Sequence, residues 1–227
     1  MSQLIVSLRE IAGAYTDCRR HYHNLLHIQQ MFQDAKRFGI HLIDVQVAAI
    51  WGHDIVYVPG APDNEEQSAD LTCSLLAEEG ACRIVTDAVR EIILCTKNHV
   101  PTCDAAKDVI DLDLAPLGYD NEAYCAGSLN VYKEAKAFIP DLDDGEYVGK
   151  RIQFLAAYLA KLPLYTTVWG SEAFDRQARV NMKIELRTLQ EWFKGGGGIL
   201  DDIEDYESLF TVFRDLARIE RGKEEEA

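Results

Sequence analysis

Apolar positions recur with a helical period along almost the whole chain, and strand-like alternation never persists. Leu4–Ala12 is a short apolar-faced segment. Tyr22–Phe38 sets Leu25, Leu26, Ile28, Met31, Phe32 and Ala35 along one stripe of a helix. Val45–Val56 is apolar nearly all round, which predicts a buried central helix with His53 and Asp54 as its polar exceptions. Pro59 to Asn64 is crowded with turn formers and predicts a loop. Helices are predicted over Glu65–Glu78, ended by Gly80, and over Ile84–Lys97, stopped by Pro101. Ala105–Leu117, Glu122–Ile139, Tyr147–Lys161 and Glu172–Phe193 follow, with Asp120 and Ser171 as N-caps. Gly195–Gly198 reads as a linker, Tyr206–Ile219 as a terminal helix and Lys223–Ala227 as a charged, frayed tail. The pattern predicts an all-α bundle: a single domain over residues 1–194, then a glycine linker and C-terminal helix over 195–227.

Composition narrows the possibilities. A chain of 227 residues buries roughly 70% of the surface its unfolded form exposes, so it folds without staples. Hydrophobic residues at 48% and charged residues at 27% are an ordinary globular balance. The net charge of −15 repels a phosphate backbone, and no local basic stripe offsets it, which argues against a nucleic-acid scaffold. A phosphorylated substrate must instead be drawn in by a metal or a few local cations. Cysteines at 18, 73, 82, 95, 103 and 125 form no Cys-x-x-Cys pair, and no secretory leader precedes them. They read as reduced thiols packed as small hydrophobes. No apolar run approaches the ~20 residues that span a bilayer. The expectation is a soluble, cytoplasmic protein with no membrane partner.

Three clusters carry candidate chemistry. His23 and His27 are four apart, so on a helix they share a face. They can share a metal, divide metal and proton between them, or simply be polar surface residues. His53 and Asp54 end an apolar helix, where an unpaired carboxylate costs several kcal/mol, roughly. A divalent ion satisfies both, imidazole and carboxylate being its usual ligands; the alternative is a buried His–Asp hydrogen bond. Asp111 and Asp113 lie in an apolar helix start and point to different faces, so only one is expected to turn inward, the alternative being a solvated residue or a cap.

Taken together and in order, these residues resemble the HD superfamily of metal-dependent phosphohydrolases. The resemblance rests on Arg20-His-Tyr22-His23-Asn24…His27, His53-Asp54-Ile55-Val56-Tyr57, Asp63-Asn64-Glu65…Ser68-Ala69, Thr96…His99 and Asp111-Leu-Asp113-Leu…Leu117-Gly118. It spans about residues 15–190 and is similar to an uncharacterised bacterial branch described as predicted HD phosphohydrolases. The piece Tyr22-His23-Asn24…His27 is also similar to the opening motif of the cyclic nucleotide phosphodiesterases.

The resemblance implies an HD-domain helical bundle with a divalent ion (Mn, Co, Ni, Fe, Zn or Mg) on His27, His53, Asp54 and Asp113, with Asp113 preferred to Asp111. It implies His23 as general acid and Asp54 as the group orienting the nucleophile. Glu65 is the candidate for a second, water-orienting carboxylate, or else an acid favoured by the helix dipole. Arg20, Asn24, Lys97 and His99 are candidate substrate contacts; Arg20 alternatively pairs with a neighbouring helix, and His99 is alternatively a ligand to a second ion or a helix-end histidine. The implied activity is hydrolysis of a phosphoester or phosphoanhydride in a small phosphorylated compound, foremost a nucleotide. Rivals are an HD-fold di-iron oxygenase and a non-catalytic, metal-stabilised ligand-binding module. Arg151, Arg179 and Asn181 read as structural, His21 and His41 as exposed, and Tyr124, Tyr132, Tyr147 and Tyr158 as packing.

Overall fold

The computed structural model describes residues 11–194, together with Thr211 and Arg214. The predicted linker Gly195–Gly198, the tail Lys223–Ala227 and most of Leu4–Ala12 lie outside the described residues. So does Tyr206–Ile219 apart from Thr211 and Arg214, which are helical. The protein is all-helical, and no strand occurs among the described residues. No helix among them is long and apolar enough to cross a membrane.

The chain falls into two compact units. The first comprises Met1–Ala115 with Thr166–Gly170. It contains α1 (Leu25–Arg37), α2 (Asp44–Gly52), α3 (Asn64–Glu78), α4 (Arg83–Thr96) and α5 (Asp104–Leu114). α4 packs against α2, α3 and α5, and α5 also touches α1 and α2. Ile28, Ile50, Val89, Ile92, Ile93, Ile110 and Leu112 form the dry centre of this unit. Each such side chain contributes about 1.5–3 kcal/mol through removal from water.

Several boundaries differ from the sequence expectation for local reasons. α1 starts at Leu25 rather than Tyr22 because Asn24 is extended and its side-chain oxygen accepts the Leu26 N–H at 2.8 Å. Leu26, assigned to the buried stripe, is 71% exposed, while Ile28, Met31 and Ala35 face the core with His27. α2 stops at Gly52, so His53 and Asp54 lie in the turn beyond it. A Cβ at position 52 would run into the Thr72 side chain, so α2 and α3 approach closely only with glycine there. Gly80 ends α3 as expected, with φ at 87° and its N–H bonded to the Ala77 carbonyl. α5 gives way at Leu114 to a 3₁₀ turn, Ala115–Gly118, where Pro116 has no N–H to continue the ladder.

The second unit comprises Pro116–Tyr165 and the chain from Ser171 onward. It holds α6 (Asn121–Phe138), α7 (Asp144–Leu159) and α8 (Arg176–Phe193). Asp120 caps α6 as expected, its carboxylate accepting the Ala123 N–H at 3.0 Å. Ser171 is not a cap: it opens a π-helical turn, Ser171–Asp175, that runs into α8. Leu155, Val148, Met182 and Ala178 are fully buried in this unit, as is Asn181, which donates to the carbonyls of Leu117 and Tyr119. Arg179 binds Asp175 and the carbonyls of Leu159 and Lys161. Tyr124, Tyr132, Tyr147 and Tyr158 are buried, in keeping with packing roles.

Candidate metal centre

The first unit brings four chain segments to one spot. His27 enters from the first turn of α1, whose start is set by the Asn24 cap. His53 follows α2 directly, with Asp54 next in the turn. Asp113 comes from the last turn of α5. His99 arrives from the α4–α5 connection in a left-handed backbone conformation, φ 52°, uncommon for a residue with a Cβ. Such strain is tolerated where the surrounding structure dictates the placement of a side chain.

The donor atoms converge. Asp113 Oδ1 lies 3.1 Å from His27 Nε2 and 3.6 Å from His53 Nε2, while Asp113 Oδ2 lies 3.0 Å from His99 Nε2. His53 Nε2 is also 3.0 Å from Asp54 Oδ2. Ligand atoms of His27, His53 and Asp113 all fall within 4.8 Å of one another, enough to hold a metal ion. Asp54, expected as the third ligand, borders this trio through His53.

His53 Nδ1 stands 2.9 Å from the Ile50 carbonyl, which can only accept, so Nδ1 carries the proton. In the neutral ring Nε2 is then a lone pair, buried and without a hydrogen-bond partner, and it faces carboxylate oxygens. Acceptors facing acceptors in a dry interior need a positive charge between them: a second proton on His53 or a cation. Burial is the largest influence on His53, Asp54 and Asp113, and it disfavours the charged form of each. Attraction between the His53 ring and the two carboxylates outweighs it. The ring is held well above the usual imidazole range, and both acids below the usual carboxylate range. A nitrogen–nitrogen–oxygen set with a bordering carboxylate fits a divalent cation of the first transition row, and the Ile50 carbonyl is the kind of outer partner that orients a ligating histidine.

His23, expected on the helix, lies in the bend before it, one residue ahead of the Asn24 cap. Its ring stacks on Tyr57 with centroids 3.9 Å apart and meets the His27 ring edge-on at 6.1 Å. Its charge is felt at Asp54.

The choice between the two aspartates of α5 is settled by contacts. Asp111 is fully buried and accepts from the N–H and hydroxyl of both Thr166 and Thr167, at 2.5 to 3.0 Å. It anchors the returning segment Thr166–Gly170, and a Cβ on Gly170 would collide with its carboxylate. Burial raises the pKa of Asp111 in spite of those donors. Asp113 alone faces the histidines.

Other expected substrate contacts are engaged elsewhere. The Arg20 guanidinium donates to main-chain carbonyls of His23 (3.1 Å), Asp54 (2.6 Å) and Ile55 (3.0 Å), bracing the two segments that carry them. Asn24 caps α1 with its oxygen and donates its amide to the Arg20 carbonyl. Lys97 bonds the Pro62 carbonyl at 2.6 Å and pairs with Glu66 at 2.5 Å, pinning the proline-rich loop. Glu65 sits partly exposed in the first turn of α3, outside the ligand trio, within electrostatic reach of Lys97. His21 and His41 are exposed, as expected.

Sequence reasoning missed Tyr57 as a partner of His23, and Ser68 and Asn64 as the side chains that brace the segment around it. For Tyr57 the signal was its place three residues past the His53-Asp54 pair, which no periodicity argument weighs. No family model, no curated protein and no solved structure matches this chain.

Proposed function

We propose that this chain is a metal-dependent phosphohydrolase of the HD type, acting on a small phosphorylated compound with a nucleotide as first candidate. The observation that carries the reading is the buried His53 Nε2 set against two carboxylates, with His27 alongside. His27, His53 and Asp113 would hold the ion, with Asp54 beside them. A divalent cation there supplies Lewis acidity and draws a phosphate into an otherwise acidic protein.

The chain's own side chains supply the rest. Asp54 accepts a hydrogen bond from the attacking water and fixes its direction. His23 lies near the trio but outside it, as a proton carrier for the leaving oxygen should. Glu65, partly exposed in the first turn of α3, is the remaining candidate for a water-orienting or general-base carboxylate.

The test is phosphate release from metal-stripped protein given single divalent ions and a panel of nucleoside phosphates and sugar phosphates. Activity restored by Mn²⁺, Co²⁺ or Ni²⁺ and lost in Asp54→Ala is the expected result; silence with every ion and ester defeats the reading. His23→Ala should slow esters with alkoxide leaving groups by about 100-fold or more and spare p-nitrophenyl phosphate, whose leaving group needs no proton.

One observation favours a second reading, a di-iron oxygenase. Asp113 has imidazole nitrogens at both of its oxygens, His27 on one and His99 on the other, an arrangement suited to bridging two cations. Two tightly retained iron ions per chain and oxygen uptake, without phosphate release, would decide for it.

A further inference from the structure

We propose that Tyr57 is a positioning residue for His23, an aromatic wall that aims the imidazole; the proposal rests on the reading of His23 as proton donor. His23 precedes the Asn24 cap, so no helical hydrogen-bond ladder fixes its backbone, and its side chain is only half-buried. The Tyr57 ring lies nearly parallel to it at 27° and 3.9 Å between centroids, with Tyr22 edge-on at 4.9 Å.

The backbone on either side of Tyr57 is held with unusual completeness for a segment outside any helix. Ser68 Oγ accepts the Val56 N–H at 3.1 Å and donates to the Val56 carbonyl at 3.0 Å. Asn64 repeats the device two residues on, accepting the Val58 N–H and donating to the Val58 carbonyl, both at 3.0 Å. Two side chains of α3 thus do what a paired strand would do, leaving Tyr57 between two clamped residues. Arg20 completes the frame by bonding the carbonyls of Asp54 and Ile55 on one segment and of His23 on the other. One guanidinium therefore sets the spacing across which the two rings stack. A partly exposed tyrosine contributes less to a core than a buried one; the frame fixes where its face lies, and that face meets His23.

A ring acting through His23 has an effect that vanishes when His23 is gone. In the full-length protein, Tyr57→Leu should cut turnover of a nucleoside 5′-monophosphate with Mn²⁺ by about 10- to 100-fold, the scale of a small misplacement of a catalytic group. KM should stay within about twofold, because the loss falls on the transition state. Tyr57→Phe, which keeps the face, should restore turnover. On a His23→Ala background Tyr57→Leu should add nothing. An equal loss on both backgrounds, or a Tyr57→Phe protein as slow as Tyr57→Leu, overturns the proposal. Should Tyr57→Leu not fold, Tyr57→Met carries the same comparison.

A second measurement needs no activity. The His23 ring-proton resonances, assigned by their absence in His23→Ala, should carry the upfield ring-current displacement of a stacked tyrosine. They should lose it in Tyr57→Leu and keep it in Tyr57→Phe. Resonances that do not move in Tyr57→Leu sink the positioning role even in an active enzyme. A wild-type protein that releases no phosphate sinks the phosphohydrolase reading, while the ring-current arm still decides whether Tyr57 places His23.

Discussion

Both units bury charge, and they satisfy it in opposite ways. In the second unit Arg151 forks onto Glu185, Nε to Oε1 at 2.9 Å and Nη2 to Oε2 at 3.0 Å. The same Nη2 donates to Ser128 at 2.7 Å, and the Tyr124 hydroxyl donates to Glu185. Every acceptor there meets a donor, the pattern of a bidentate pair inside a finished network. Burial, the largest influence on Arg151, works against its charge, yet Glu185 and Tyr124 hold it well above its ordinary range. In the first unit the His53 lone pair meets the oxygens of Asp54 and Asp113 instead. The protein completes one cluster with its own donors, while the other is closed only by a second proton on His53 or by a cation. A closed network holds a fold; an open one of this kind is a place for a cation.

The largest expected effect breaks the closed network. Glu185→Ala strands the Arg151 charge in a dry interior and should cost about 3–5 kcal/mol in urea denaturation, with no recovery on adding Mn²⁺. The open cluster should respond in the other currency, metal affinity. His53→Ala or Asp113→Asn should weaken Mn²⁺ binding, followed by calorimetry, at least about 100-fold, the upper end of what even an outer partner is worth. Mn²⁺ should raise the melting temperature of the wild type and leave that of Asp113→Asn unmoved.

Asp111→Asn sharpens the contrast within a single helix. It replaces one accepting oxygen with an amide NH2 that faces the donors of Thr166 or Thr167, and should cost about 1–3 kcal/mol, without the collapse of Mn²⁺ affinity expected for Asp113→Asn. A shared loss of affinity would mean that α5 acts as a unit and that the division between the two aspartates is wrong.

The smallest effect is on pH. In metal-free protein the raised His53 pKa adds stability that is fully present below the ordinary imidazole value of about 6.5 and lost as pH rises through the folded value. The depressed Asp113 pKa adds stability present above about 3.9 and lost as pH falls through its folded value. Proton and cation compete for His53 Nε2, so Mn²⁺ affinity should climb over the window where His53 stability declines. Melting curves of metal-free and Mn²⁺-treated protein across pH check this directly. Parallel curves would remove His53 from the ion's ligands.

Much of the helical frame was legible because burying one face of a helix imposes a period that survives in sequence. α3 and α4 fall within one residue of their expected starts and ends, and Gly80 and Asp120 perform the capping tasks their chemistry suggests. His53 and Asp54 stood out for a different reason: a ligating or charged side chain inside an apolar run is costly unless something answers it, whereas His27 and Asp113 were singled out as ligands only by the resemblance to the HD superfamily. Local sequence was weaker where two short-range rules compete. The apolar stripe that begins at Leu25 argued for a helix reaching back to Tyr22, but the Asn24 side chain capped the backbone first. The partners of Arg20 and Lys97 were not legible, because spacing cannot show a carbonyl or a carboxylate arriving from tens of residues away.

The sequence by itself determined that this chain is all-helical and which residue types can meet a cation, since periodicity and chemical identity are local properties. Tertiary structure decided that Asp113 and not Asp111 faces the histidines, because only the return of Thr166 and Thr167 supplies the donors that engage the other carboxylate. It also decided that Arg20 braces while Tyr57 meets His23. Those outcomes depend on which distant groups arrive at one point, and the free energy that selects them belongs to the packed interior.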